Sequence, residues 1–70
     1  MMPLSMVNIG EQNKIIKVGG NEETKRLLEN LGFVPGSVVT VISQTGGNII
    51  VNVKDSRIAI GRSMAAKIMV

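Results

Sequence analysis

The segment from residue 21 to residue 36 has the polar and apolar pattern of one short helix followed by a turn. The positions that would face a core recur at the i, i+3, i+4 and i+7 spacing of a single helical stripe: Thr24, Leu27, Leu28 and Leu31. Asn21 is a good N-cap, and Gly32 stands where a left-handed residue ends a helix. The pattern therefore predicts a helix of roughly ten residues, which is too short to be stable in water unless it packs on the rest of the chain.

Short β-branched runs separated by turn residues predict strands in most of the remaining chain. Within the first of these strands we expect Ile16 and Val18 on one face and Ile15 on the other, because side chains alternate along a strand. Gly46-Gly47 predicts a tight hairpin turn between the second and third strands. The predicted strands cover residues 13–18, 38–43, 49–53, 57–60 and 67–70.

About five short strands and one helix indicate a mainly β fold, with the α-helix inserted between strands 1 and 2. We expect a small, strongly bent barrel instead of a sandwich, since closing a sheet on itself removes its exposed edges. A chain of 70 residues is near the lower limit for a hydrophobic core without disulfides or metals. Residues 1–70 are accordingly expected to form a single domain.

The composition excludes most catalytic and metal-binding chemistry. The chain has no cysteine and no histidine, so it lacks thiolate ligands, imidazole ligands and the commonest general base at neutral pH. We therefore expect no enzyme activity, no catalytic residues and no strong metal site. Carboxylates such as Glu22 with Glu23, or Asp55, leave room only for weak binding of ferrous or another divalent transition metal ion. The absence of cysteine also agrees with a cytoplasmic protein.

The net positive charge is compatible with an anionic partner, but the sequence does not favour nucleic acid as that partner. The net charge is +3 and the pI is about 9.8, so nucleic acid or an acidic protein surface could be attracted. Phe33 is the one aromatic residue and the basic residues are scattered, whereas single-strand binders stack bases on aromatic platforms. No nucleic acid is expected, although a small basic RNA- or ribosome-associated barrel remains an alternative. The N-terminus shows no signal peptide or membrane span, so membrane association is expected only through a partner.

The order of these signals along the chain resembles the FeoA family, small cytosolic proteins of bacterial ferrous-iron uptake. The most distinctive matching segment runs from Leu31 to Gly36, and the agreement extends over nearly the whole chain. The other matching points are Pro3-Leu4-Ser5, Gly10-Glu11, Arg26-Leu27, Ile58-Ala59-Ile60, Ala65 and Ile68-Met69-Val70. Spacing and order together carry the resemblance, because none of these pieces is specific by itself.

The resemblance implies a fold, a partner and a role. The fold would be an SH3-like barrel, and the partner would be FeoB, the membrane-embedded, GTP-hydrolysing ferrous-iron transporter, which the protein would bind and modulate as an adaptor. FeoA-like domains also occur at the C-terminus of DtxR-type metal-dependent repressors, so a metal-responsive regulatory module is a second alternative. The chain has no helix-turn-helix, which favours the stand-alone version. Short edge strands leave a homo-oligomer open.

Three groups of residues are candidates for binding the partner. In the helix, Arg26 and Leu27 would form an exposed part of the surface, although the leucine stripe is equally typical of a core-facing side. Arg57 and Arg62 would contact an acidic surface or a phosphate, although exposed arginines are usually only solvated. The helix end and turn would hold a loop in a shape that the partner reads, or would serve geometry alone. The predicted partner-binding residues are Arg26, Leu27, Gly32, Pro35, Gly36, Arg57 and Arg62.

Overall fold

The computed structural model describes all 70 residues and contains six short strands, which confirms the mainly β class. The strands are β1 (Gln12–Lys14), β2 (Lys17–Val18), β3 (Val38–Thr45), β4 (Asn48–Val53), β5 (Ser56–Gly61) and β6 (Ile68–Met69). The helices are α1 (Glu22–Asn30) and the short α2 (Arg62–Ala65), and a 3₁₀ turn covers Leu4–Met6. A four-stranded antiparallel sheet has the order β1-β3-β4-β5, and β2 pairs with β6 in a second, two-stranded sheet.

The predicted first strand is wrong in one respect, because the chain divides it between the two sheets. The Ile15 amide donates to the Ser37 carbonyl beside the first sheet, whereas the next amide, of Ile16, donates to the Met69 carbonyl in the second sheet. This crossing interrupts the alternation of side chains, so Val18 is buried while Ile16 is 53 % exposed. Helix α1 therefore follows the second strand of the molecule, not the first.

The larger sheet contains two hairpins, and the first of them turns at the glycines predicted for it. Strands β3 and β4 join through Gly46-Gly47, and a bulge shifts their register between Val41 and Ser43. Strands β4 and β5 join through Lys54-Asp55, whose φ angles of 49° and 64° are those of a type I′ turn. Such a turn matches the twist of the strands, but its left-handed conformation is normally taken by Asn or Gly.

The fourteen buried apolar side chains form one cluster between the sheets, and α1 closes one side of it. Phe33, which follows the helix, is fully buried and is the largest side chain of the core. From α1 itself only Leu28 is buried. The sheets supply most of the remainder through inward-facing residues such as Val39, Val41 and Val51. A single leucine and the following phenylalanine therefore fix the helix to the barrel.

Both ends of α1 are capped by the residues that the sequence indicated. The Asn21 side-chain oxygen accepts a hydrogen bond of 2.8 Å from the Thr24 amide. At the other end the Phe33 amide donates to the Leu28 carbonyl at 2.9 Å, and the Gly32 amide donates to the Glu29 carbonyl at 3.0 Å. These two bonds define a Schellman motif, so the helix ends in the conformation that Gly32 permits.

Replacing Asn21 by Ala should destabilise the protein by about 1 kcal/mol, because the Thr24 amide loses its acceptor. For a domain of this size that loss corresponds to a fall in melting temperature of about 4–8 °C, measurable by circular dichroism. Asn21→Asp is the matched control, since it keeps an acceptor oxygen and should melt close to the parent protein. Equal melting temperatures for all three proteins would contradict the assigned cap.

Candidate protein-binding surfaces

The exposed face of α1 carries a leucine that the core does not use. Leu27 is 50 % exposed whereas its neighbour Leu28 is fully buried, as expected for adjacent residues about 100° apart on a helix. Arg26 is exposed beside it. With Glu22, Glu23 and Asn30, these two side chains line a shallow depression along the helix, called here the α1 surface. An apolar side chain framed by charged and polar groups is typical of a protein contact.

The segment from Gly32 to Gly36, which follows α1, offers a partner a turn of defined shape more than it offers side chains. Gly32 is buried with a φ of +106°, so it offers no surface of its own to a partner. Pro35 and Gly36 are exposed in a turn that the Ser37 amide closes by donating to the Val34 carbonyl at 3.1 Å. The φ of +92° at Gly36 is that of the third residue of a type II turn.

A second, polar depression lies on the outer face of the larger sheet and includes Arg57. Register pairing across all four strands places Gln12, Thr40, Asn52 and Arg57 in one row. Ser37, Val38, Lys54 and Asp55 complete its lining. We call this the sheet surface. The residues of the row other than Arg57 were missed in the sequence, although Thr40 and Asn52 interrupt otherwise apolar runs and could have signalled an outward polar face.

The two predicted arginines are not brought together. Arg57 lies near the β4–β5 turn, whereas Arg62 begins α2 at the other end of β5, a separation of roughly 16 Å along a strand. The Arg62 amide donates to the Gly47 carbonyl at 2.8 Å and its guanidinium to the Gln44 side-chain oxygen at 3.4 Å. Arg62 is therefore held against the β3–β4 hairpin.

Lysine 54 connects the end of α1 with the sheet surface. A Cβ built on Gly32 would lie 3.5 Å from the Lys54 Cδ atom, so the lysine stem passes directly over the glycine. This position places a positive side chain at the C-terminal, negative end of the α1 dipole, which is favourable. The C-terminal end of α1 thus meets the sheet surface where the Lys54 side chain crosses Gly32.

The donor groups of the chain do not assemble a metal site. No group of three or more His, Cys, Asp or Glu side chains lies close enough together to hold an ion. None of the helices has the length and apolar character needed to cross a membrane.

The fold is shared with solved structures and defines the class of protein. The chain is 27 % identical to FeoA of Stenotrophomonas maltophilia, with a TM-score of 0.86, over 99 % of this chain and 88 % of the other. That protein, determined in complex with zinc, is described as a prokaryotic SH3 domain protein. A manganese-dependent transcriptional repressor superposes with a TM-score of 0.85 at 17 % identity and 38 % coverage of its own chain, a likeness of fold alone. The class is therefore a small SH3-like barrel.

The sequence comparisons identify the family within that class. The model of the FeoA domain matches residues 2–70. A protein of Methanocaldococcus jannaschii described as "Putative Fe(2+) transport protein A" is 37 % identical over 70 residues, all of this chain and 85 % of the relative. The chain belongs to the FeoA domain family, which confirms the resemblance given by the sequence.

Proposed function

We propose that this protein is a cytoplasmic, non-catalytic accessory protein of ferrous-iron transport that binds and modulates a FeoB-type membrane GTPase. Residues 1–70 would act as one domain and would reach the membrane only through that partner. Two facts support the proposal: membership of the FeoA domain family, and the name of the M. jannaschii relative as an Fe(2+) transport protein. The half-exposed Leu27 beside Arg26 on the α1 surface is the observation that carries it.

The α1 surface suits a reversible protein contact. Fully burying a leucine is worth about 1.5–3 kcal/mol, and half of the Leu27 side chain is still available for burial. The carboxylates of Glu22 and Glu23 and the guanidinium of Arg26 surround it with charges that can set orientation. The remaining predicted residues, Gly32, Pro35, Gly36, Arg57 and Arg62, would support or extend this contact.

Modulation would follow from differential binding. An adaptor changes a transporter's conformational equilibrium only to the extent that it binds one conformation more tightly than another. We therefore expect affinity for the GTPase domain to differ between its GDP-bound and GTP-analogue-bound forms. Biolayer interferometry with immobilised GTPase domain, in each nucleotide state, measures this difference. Equal affinity in every nucleotide state would remove the modulating role and leave only docking.

Replacing Leu27 by Gln should weaken binding to the GTPase domain about tenfold, equal to about 1.4 kcal/mol. The reason is that the partner would no longer bury the exposed half of an apolar side chain at this position. The fold should be unchanged, since Leu27 lies outside the core and Gln is a comparable helix former. Met6→Gln is the matched control: Met6 is 67 % exposed but lies in the 3₁₀ turn and does not line the α1 surface. Undiminished binding by a folded Leu27→Gln protein would refute a docking role for the α1 surface.

A further inference from the structure

Strand β5 is an open edge of the larger sheet. It is the last strand in the order β1-β3-β4-β5 and pairs only with β4, through a continuous register from Val53 with Ser56 to Asn48 with Gly61. With six residues it is twice as long as β1, the strand at the opposite edge. In the second sheet, β6 has a neighbour on each side, because β2 pairs with it and Pro3 bridges to Met69. The longest free edge of the molecule is therefore β5.

The backbone groups that β5 leaves free can be assigned from the register. Val53 and Ser56 close a two-residue turn and so form a hydrogen-bonded pair, and such pairs alternate along an antiparallel ladder. Ile58 consequently bonds to β4, while the amides and carbonyls of Arg57 and Ala59 point away from it. The Arg62 amide donating to the Gly47 carbonyl continues the same alternation at the end of the strand.

Nothing else in the molecule satisfies these outward groups. No hydrogen bond from a turn, loop or cap, and none from a side chain, reaches the backbone of Arg57 or Ala59. Both residues are also exposed, so their backbone is accessible to another chain. Free amides and carbonyls repeating at alternate residues are the template to which an extended peptide adds as a new strand.

The charges around the edge select the kind of chain that can add. Lys54 precedes β5, Arg57 lies within it and Arg62 follows it, whereas Asp55 is the single carboxylate in this stretch. A second copy pairing edge to edge would bring two such cationic strands together, which like-charge repulsion disfavours. A segment with carboxylates at alternate positions would instead face Arg57 and Lys54 and gain charge-assisted hydrogen bonds.

We propose that β5 accepts an extended acidic segment of a partner protein as an additional strand of the sheet. The main-chain groups of Arg57 and Ala59 would bind the backbone of that segment, and the flanking cations would bind its carboxylates. This site is separate from the α1 surface and does not depend on the identity of the transporter. It gives the exposed Arg57 a role as a specificity-determining residue at the edge.

The test uses the intact ¹⁵N-labelled protein and an eight-residue synthetic peptide that alternates Glu and Val. Titration should shift the NMR signals of the Arg57 and Ala59 amides and slow their hydrogen exchange, while the peptide that alternates Lys and Val should leave both unchanged. Shifts centred on α1, or equal binding of the two peptides, would overturn the proposal. Protein dimers formed in the absence of peptide, with the same amides protected, would replace the acidic segment by a second copy and overturn it equally.

Two pairs of variants separate backbone pairing from charge. Ala59→Pro removes an outward amide without breaking the ladder to β4, a position where an edge strand tolerates proline, and should weaken binding of the Glu peptide at least about tenfold. Ala59→Val keeps the amide and should bind like the parent. Arg57→Glu should abolish binding of the Glu peptide, whereas Arg57→Lys should largely retain it. If the proline variant does not fold, this second pair still tests whether the peptide binds at β5. Binding unchanged by both Ala59→Pro and Arg57→Glu would refute the assignment.

Discussion

Replacing Phe33 by Ala is expected to remove a large part of the stability of this protein. Phe33 is the single aromatic residue, is fully buried and is the largest side chain in the core. Truncating a buried phenylalanine to alanine costs about 3–5 kcal/mol, because apolar contacts are lost and a cavity remains. A domain of this length has a total unfolding free energy of about 4–10 kcal/mol. The loss therefore amounts to between about a third and all of that free energy, and the urea midpoint should fall accordingly.

The measurement is a urea titration followed by far-ultraviolet circular dichroism, since the chain has no Trp or Tyr to serve as a fluorescence probe. Phe33→Leu is the control: it keeps most of the buried area and should lose only about 1–2 kcal/mol. A Phe33→Ala midpoint no lower than that of Phe33→Leu would show that the site collapses around the smaller side chain. In that case the helix would be held to the barrel chiefly by Leu28.

Local signals were sufficient for α1 because each of its determinants lies within a few residues of the helix. The N-cap at Asn21 and the left-handed Gly32 act on neighbouring backbone groups, and both occupy the positions predicted for them. The hairpin at Gly46-Gly47 is local in the same sense, since two glycines satisfy the turn whatever the rest of the chain does. Elements of this kind can be predicted from sequence because tertiary contacts do not change them.

The division of residues 13–18 could not be predicted, because its cause is distant in sequence. The strand breaks where consecutive amides find acceptors at Ser37, just before β3 of the larger sheet, and at Met69 in the smaller sheet. Nothing in the run of Ile15 and Ile16 distinguishes the buried side chain from the exposed one. The positive φ of Lys54 in the β4–β5 turn is a similar case, since lysine does not favour that conformation and the register of the flanking strands imposes it. Asp55, by contrast, is of a residue type that tolerates positive φ.

The candidate surfaces also differ in whether local sequence or distant strand pairing determines them. Helical geometry places Leu27 and Leu28 about 100° apart, so one can be buried while the other is left near the rim, and in the structure Leu28 is the buried one. The polar row of the sheet surface exists only through the register of four strands, so the sequence yielded Arg57 without its neighbours. The open edge of β5 is likewise a property of topology, because it depends on which strand ends the sheet.

The segment from Leu28 to Phe33 joins the core to the proposed docking face. The Phe33 amide bonds to the Leu28 carbonyl, so the turn that ends the helix also sets how the phenylalanine enters the core. Leu27 lies one residue before this linkage, and we expect the direction of its side chain to depend on how the helix ends. A change at Gly32 should consequently disturb stability and partner binding together, although Gly32 itself is buried.

Replacing Gly32 by Val is therefore expected to cost about 3 kcal/mol and also to weaken binding to the GTPase domain. The φ of +106° lies in a region that β-branched residues avoid, which accounts for the energetic cost. Steric overlap adds little, because the nearest atom to an added Cβ, the Lys54 Cδ, is at an ordinary contact distance of 3.5 Å. The variant either keeps the strained backbone at residue 32 or ends α1 in a different conformation. A different helix end would change the direction of the Leu27 side chain.

Urea titration and interferometry on the same samples separate these two effects. Pro35→Ala is the matched control, since Pro35 is exposed in the next turn and requires no left-handed backbone. It should lose less than about 1 kcal/mol, chiefly through the greater freedom of the unfolded chain. If Gly32→Val remains folded at low urea and binds the GTPase domain with parental affinity, the helix end does not orient the α1 surface. If it binds as poorly as Leu27→Gln while still folded, the loss comes from the direction of α1, because no side chain of the contact has been removed.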